Sequence, residues 1–370
     1  MPELAPIFPV NRVHLDELSD DVGIMQHAIG HRPDPAHGYC TDDVARALQV
    51  DLLHGAELGW PAVADRAGRS VRFLEAAFNP ALGRFRNFRS ADGTWLDSVG
   101  SEDAHARAAL ALAETAHLAG DPGIRSRGFT LFERALPATI RLTYLRPRAA
   151  AILACAAGAT AGSVAADAAL PKLLDAFLST TTPDRPASSD WPWPEPVLTY
   201  ENGLVARALI VAGARLGDEL ATERGLVLLG WLVSVQTAPA GHFSPIGNDG
   251  WWPRGGSVAR YDQQPMEATA LLLAAQSAYE VTGDRRYMKT MEWAYAWFLG
   301  QNDGHCQIAL PASGAGQDGL TPSGPNANQG AESTLMWLTA LERIRAIRRG
   351  AVRVVGRSNR PSAVQVAARA

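Results

Sequence analysis

The chain has 370 residues, is 47% hydrophobic and 19% charged, and is long enough for one large domain or two ordinary ones. A net charge of −4 and a pI near 6.1 exclude the basic balance that nucleic-acid binding calls for. Three cysteines, Cys40, Cys155 and Cys306, lie far apart with no Cys/His spacing for zinc, which argues against a disulfide scaffold and for a reducing compartment.

The start, MPELAPIFPVNRV, lacks the charged and apolar regions of a signal peptide, and residues 1–20 read as an N-terminal extension. No apolar run in the chain reaches the ~18 residues of a membrane span, so the expected location is the cytoplasm. From there a polar cluster leads into an Ala/Leu-rich helical run six times. These are CTDDVARALQVDLL from 40, GSEDAHARAALALAETA from 100, LRPRAAAILACAAG from 145, TYENGLVARALIVAGARLG from 199, YDQQPMEATALLLAAQSAY from 261 and NQGAESTLMWLTALERI from 328. Each step leaves room for two helices of about three or four turns. The segments between, such as AVADRAGRSVRFLEAAF (62–78) and DRRYMKTMEWAYAWFLG (284–300), carry one apolar stripe, as a helix with a solvent face does. Six buried helices alternating with six amphipathic ones predict an all-α, single-domain (α/α)6 toroid over residues 21–349. The stretch RIRAIRRGAVRVVGRSNR, with seven arginines, reads as a solvated basic end, with a disordered tail at 350–370.

Every polar cluster precedes its buried helix, so in a toroid all six gather at one end of the inner ring, with the positive helix ends. That places Asp42, Asp43, Glu102, Asp103, His105, Arg146, Arg148, Tyr200, Glu201, Asn202, Asp262, Gln263, Gln264, Asn328, Gln329 and Glu332 around one funnel. Acids there also suit helix capping, and Asp43/Arg46 and Asp103/Arg107 have the spacing of local ion pairs. One of Asp42 and Asp43 is expected to cap its helix and the other to face a ligand. Capping needs one acceptor per helix, however, and seldom DD, ED, YEN, DQQ and NQGAE together. Carboxylates crowded into one pit raise each other's pKa, which suits general acid and base chemistry. The loops feeding the funnel bring Trp95, Trp191, Trp193, Trp251 and Trp252 beside small polar residues, a pairing that suits the C–H face of a sugar.

YCTDDVARAL, SEDAHARAALAL, GHFSPIGNDGWW, YDQQPMEATA, WFLGQNDG and NANQGAEST resemble a bacterial family of (α/α)6 proteins related to glycoside hydrolases. The resemblance spans roughly residues 20–345. Members are often encoded beside, or fused to, glycosyltransferases and mannoside phosphorylases, so the resemblance implies carbohydrate and a toroid more firmly than a reaction, and it offers a glycosyltransferase as a functional partner.

The resulting expectation is a glycosidase, or phosphorylase, acting on an oligosaccharide such as a mannoside, with no cofactor and no metal. Asp43, Asp103 and Asp262 lead as catalytic carboxylates, with Glu201 and Glu332 next. Asp42, Arg46, Glu102, His105, Trp191, Trp193, Tyr200, Asn202, Trp251, Trp252, Gln263, Gln264, Asn328 and Gln329 are expected to bind substrate. Three rivals share the fold: a sugar epimerase, which usually works through histidines; an unsaturated-uronide hydrolase, with Arg146 and Arg148 reading a carboxylate; and a carbohydrate-binding partner of a glycosyltransferase without turnover.

Overall fold

The computed structural model describes residues 4–181 and 190–350. Helices follow one another as α1 (Val13–Glu17), α2 (Thr41–Leu58), α3 (Ala64–Ala77), α4 (Glu102–Leu118), α5 (Pro122–Thr139), α6 (Leu145–Thr160), α7 (Val164–Thr181), α8 (Gly203–Leu216), α9 (Glu219–Val235), α10 (Pro265–Thr282), α11 (Arg286–Phe298) and α12 (Ala331–Arg348). The even-numbered helices carry the six Ala/Leu-rich runs. Each packs on the next, and α12 returns to α2, which closes a ring. The odd-numbered helices from α3 to α11 lie outside it, each on the inner helix that precedes it. This is an (α/α)6 toroid.

Alanine lets the inner helices approach closely. Ala106, Ala108, Ala109 and Ala111 of α4 and Ala149, Ala151 and Ala154 of α6 are fully buried where these two helices pack. At the start of α8 even alanine is too large: a Cβ on Gly203 would come within 2.3 Å of the Ala270 carbonyl oxygen on α10.

The sixth outer position departs from the expected six amphipathic helices. It is filled from the chain's beginning by the five-residue α1, which packs on α12. Tyr295 Oη donates to the Pro6 carbonyl at 2.9 Å, Arg345 donates to that of Phe8, and the Phe8 ring meets Trp337 edge-on. The other end needs a correction too. Arg345, Arg348 and Arg349, read as part of a solvated stretch, finish α12 in ion pairs. Arg345 lies 3.3 Å from Glu342, Arg348 Nε donates to Glu292 at 2.6 Å, and Arg349 pairs with Glu57 at 2.6 Å. Cations suit the negative end of a helix, and here each has an acid in reach. Residues 351–370, nearly all of the expected tail, lie outside the described residues.

The two ends of the ring are unlike. At one, the connections 59–63, 119–121, 161–163, 217–218 and 283–285 are short. At the other, where the inner helices begin, 18–40, 78–101, 190–202, 236–264 and 299–330 hold most of the non-helical chain. Two-residue antiparallel pairs tie these loops together: Tyr39 opposite Arg89 and Cys40 opposite Phe88, and likewise Val197 opposite Pro253 and Leu198 opposite Trp252. Among the described residues no helix is long and apolar enough to cross a membrane.

Candidate active site

The acids at the starts of α2 and α4 are not their helices' caps. Cys40 caps α2: its Sγ accepts from the Asp43 N–H at 3.4 Å and donates to Asp43 Oδ2 at 3.1 Å. Ser101 caps α4 through the Ala104 N–H. No side chain caps α8, α10 or α12, whereas Asp121 and Asp218 cap the outer helices α5 and α9. Neither Asp42 nor Asp43 therefore takes the capping role expected of one of them, and one Asp42 oxygen is buried without a partner.

Two buried arginines organise these acids across helices. Arg46 of α2 lies 2.9 Å from Asp43 on its own helix and 2.9 Å from Glu332 at the start of α12. Arg107 of α4 bonds to Glu201 in the loop before α8 and lies 3.8 Å from Asp103. Each arginine is shared by two carboxylates, so each group keeps a net negative charge, and Asp42 adds another. Burial pushes the Asp43 carboxyl up to about 6 against the pull of Arg46, with Glu332 and Asp42 adding to the rise. Tyr200 donates to Asp103 at 3.1 Å and turns its ring toward Trp251. Burial, then Asp103, raises its phenol to about 12.

Glu201 and Trp251 have φ of +48° and +56°, a region that costs a non-glycine residue on the order of 1 kcal/mol or more. Glu267, absent from the sequence expectation, holds the first of these turns. From the first turn of α10 its carboxylate accepts the Glu201 N–H and the Asn202 amide at 3.0 Å. Asn202 in turn accepts from Arg146 at 3.0 Å. A sequence signal existed: Glu267 and Asp43 are both the third residue of their inner helices.

Burial lifts Glu267 to about 7 against these donors, from an ordinary 4.5. The folded protein thus keeps this proton where the unfolded chain has lost it, so Glu267's contribution to stability falls as pH rises from about 4.5 to about 7. In urea unfolding, Glu267→Gln should gain on the wild type between about pH 5 and pH 8. A stability difference independent of pH contradicts this assignment.

A third group faces these two from the long loops. Asp262 precedes α10, and among the described residues nothing hydrogen-bonds its half-buried carboxyl. Burial raises its pKa, and the neighbouring Asp249 and Asp318 raise it further. Asp318 is also raised by burial, although the Gly330 N–H donates to it at 2.7 Å, and it lies in the field of Glu332. Asp318 therefore links Asp262 to the Arg46 cluster. Inside the ring a cavity is lined by Arg46, Arg107, Glu201 and Met266 and continues along the axis.

Asp42, Asp43, Arg46, Asp103, Tyr200, Glu201, Asp262 and Glu332 thus gather as expected at the start of the ring. Other predicted contacts do not. Glu102 turns away and accepts the Thr143 and Tyr144 N–H groups at 2.7 and 3.0 Å, fixing the start of α6. His105 is buried against Thr139, its Nδ1 accepts from the Phe85 N–H, and burial, then Arg84, holds it down at about 3. Asn202 is fully buried, between Glu267 and Arg146. Gln263 is buried between Asp303 and the Trp297 Nε1–H, which donates at 2.9 Å. Asn328 accepts the Gly30 N–H, and Gln329 is tied through its backbone to Gly30 and His14. Gln264 directly precedes α10 with a half-buried side chain.

Trp191, Trp193 and Trp252 pack around Trp231 of the outer helix α9, with centroids 5.3, 6.1 and 6.0 Å from it. They anchor loops, which leaves Trp251 as the tryptophan at the site. Trp95 likewise packs on Phe73 under Arg86 and Arg89. Arg146 bonds to Tyr200, Glu195 and Asn202, and Arg148 to Thr180, so neither fits the carboxylate reader expected of them. Among the described residues no group of three or more His, Cys, Asp or Glu side chains is arranged to hold a metal.

No protein-family model matches the sequence, and no curated protein does. Solved structures do match its fold. A sugar epimerase from a ruminal bacterium is 12% identical, with 91% of this chain and 95% of that one covered at a TM-score of 0.71. A cellobiose 2-epimerase from Spirochaeta thermophila is 16% identical, with 90% and 93% covered at 0.69. A GH76 α-mannanase from Bacteroides thetaiotaomicron is 10% identical, with 92% and 94% covered at 0.64. At these identities the likeness is one of fold, the (α/α)6 toroid.

Proposed function

We propose that the protein is a glycosidase acting on an oligosaccharide at the mouth of the ring. The observation that carries this reading is Asp262: a half-buried carboxyl with no hydrogen-bond partner among the described residues, a raised pKa and two carboxylates beside it, near acids fixed by arginines. Environments that push titratable groups apart are how an acid and a base are told from each other. Asp262 is the proton donor to the glycosidic oxygen. Glu332, oriented by Arg46, takes a proton from the water that attacks the anomeric carbon from the opposite face. The C–O electrons leave with the protonated oxygen, so the product is inverted. The positive charge that develops on the sugar ring is stabilised by the excess of carboxylates over Arg46 and Arg107. Tyr200 and Trp251 supply a hydroxyl and an apolar face for the sugar.

The resemblance to epimerases favours a second reading, in which a base removes a proton beside a carbonyl. Against it, His105, the one histidine inside a recurring polar cluster, is held neutral inside the fold. Proton NMR on a panel of manno-, gluco- and galacto-oligosaccharides, with and without phosphate, separates these. Hydrolysis with inversion is the expected outcome, phosphate-dependent cleavage would make the enzyme a phosphorylase, and a new sugar without cleavage would favour the epimerase.

A further inference from the structure

The cavity does not end at the carboxylates. Its lining repeats in layers along the inner helices: Arg46, Gln49 and Leu53 on α2, and Met336, Thr339 and Arg343 on α12. Seven residues of helix place the lowest layer about 10 Å below the first. That floor holds two arginines, Arg207 of α8 and Arg343 of α12, with Glu114 of α4. Neither guanidinium donates a hydrogen bond to any described protein group, and the Nε atoms of both are buried without a partner. Glu114 is occupied by Gln49, whose Nε2 donates to it at 2.7 Å. Burial and the nearby Arg207 hold the Arg343 guanidinium below the usual arginine range, with Glu114 and Glu280 opposing.

Two like charges drawn together with no hydrogen-bond acceptor, and only the fields of Glu114 and Glu280 opposing, are unfavourable for the fold, since buried donors elsewhere in proteins are paired. An arginine fork is shaped for the oxygens of a carboxylate or phosphate, and two forks converging on one cavity can hold one such group from both sides.

We propose that Arg207 and Arg343 form an oxyanion site at the floor of the axial cavity, which takes a phosphate or a carboxylate. The anion is either free in solution or a substituent of a glycan whose neutral end lies at the mouth. The site stands apart from the reaction proposed above, and its test needs no turnover.

The test is thermal unfolding and calorimetry of the full chain at constant ionic strength with inorganic phosphate, sulfate, glucuronate and glucose, against chloride. A saturable rise in Tm with phosphate or sulfate alone identifies a free anion. A rise with glucuronate but not glucose identifies a sugar substituent. In both cases Arg207→Met and Arg343→Met should weaken binding by about 10-fold or more, the loss expected for a hydrogen bond to a charged group. Without anion these variants should be no less stable than the wild type, because each removes one of two repelling charges. Should Arg343→Met fold poorly, Arg343→Gln carries the same expectation. No saturable response to any probe, or a response that survives in the variants, overturns the site.

Discussion

Asp262→Asn is expected to lower turnover of a natural oligosaccharide by about 10²- to 10⁴-fold, the usual contribution of a general acid. The loss should be much smaller for a nitrophenyl glycoside, whose leaving group departs without a proton. A second consequence comes from pH. A proton donor works only while protonated, so the alkaline limb of kcat/KM reports Asp262 losing its proton. Burial, Asp249 and Asp318 raise that pKa. Asp318→Asn should therefore move the limb to lower pH, and Asp262→Asn should remove it. An equal loss on both substrates, with the alkaline limb unchanged, would assign the proton to another group.

Arg46→Met is expected to be the most damaging substitution for the fold and to abolish measurable turnover. It leaves Asp43, 5% exposed, without its cation and frees Glu332 from its anchor. Breaking a buried pair by removing one partner costs about 3–5 kcal/mol. The sign of the pH effect follows from Asp43. Arg46 lowers a carboxyl that burial has raised to about 6, so its removal raises that pKa further. The acid can then escape the penalty by holding a proton, and it does so more completely at low pH. Urea unfolding should show the variant far less stable than the wild type at about pH 8 and closer to it at about pH 5. In Asp43→Asn/Arg46→Met the pH dependence should largely vanish, while turnover stays absent because Glu332 remains unanchored.

The ring was legible because helix faces are. Six Ala/Leu runs without a polar side have to be buried on all sides, and amphipathic segments between them have to cover them. The position of the site was legible for a related reason: every polar cluster precedes its helix, so closing the ring brings Asp42, Asp43, Asp103, Glu201, Asp262 and Glu332 together. What periodicity does not carry is which partner each side chain finds on another helix. Arg46 lies three residues from Asp43, yet Glu332, from the far end of the chain, shares it. Glu102 belongs to a capping interaction with the next hairpin, and Glu267 to the turn at Glu201. Trp191, Trp193 and Trp252 looked like sugar platforms in their Pro- and Gly-rich loops. Their true neighbour is Trp231, inside an outer helix, and the path of the loops decides that contact. The closing α1 was hidden for a simpler reason: five residues are too few to show a period.

The most direct measurement is mass spectrometry of an oligosaccharide panel incubated with the protein in water enriched in ¹⁸O. Cleavage that adds one molecule of labelled water across the bond, with the label on the anomeric carbon, is the predicted result, and it should be lost in Asp262→Asn and Glu332→Gln. A product of unchanged mass, or a deuterium exchanged beside the carbonyl in a parallel run in D₂O, would contradict glycosidic cleavage and make the ring an epimerase.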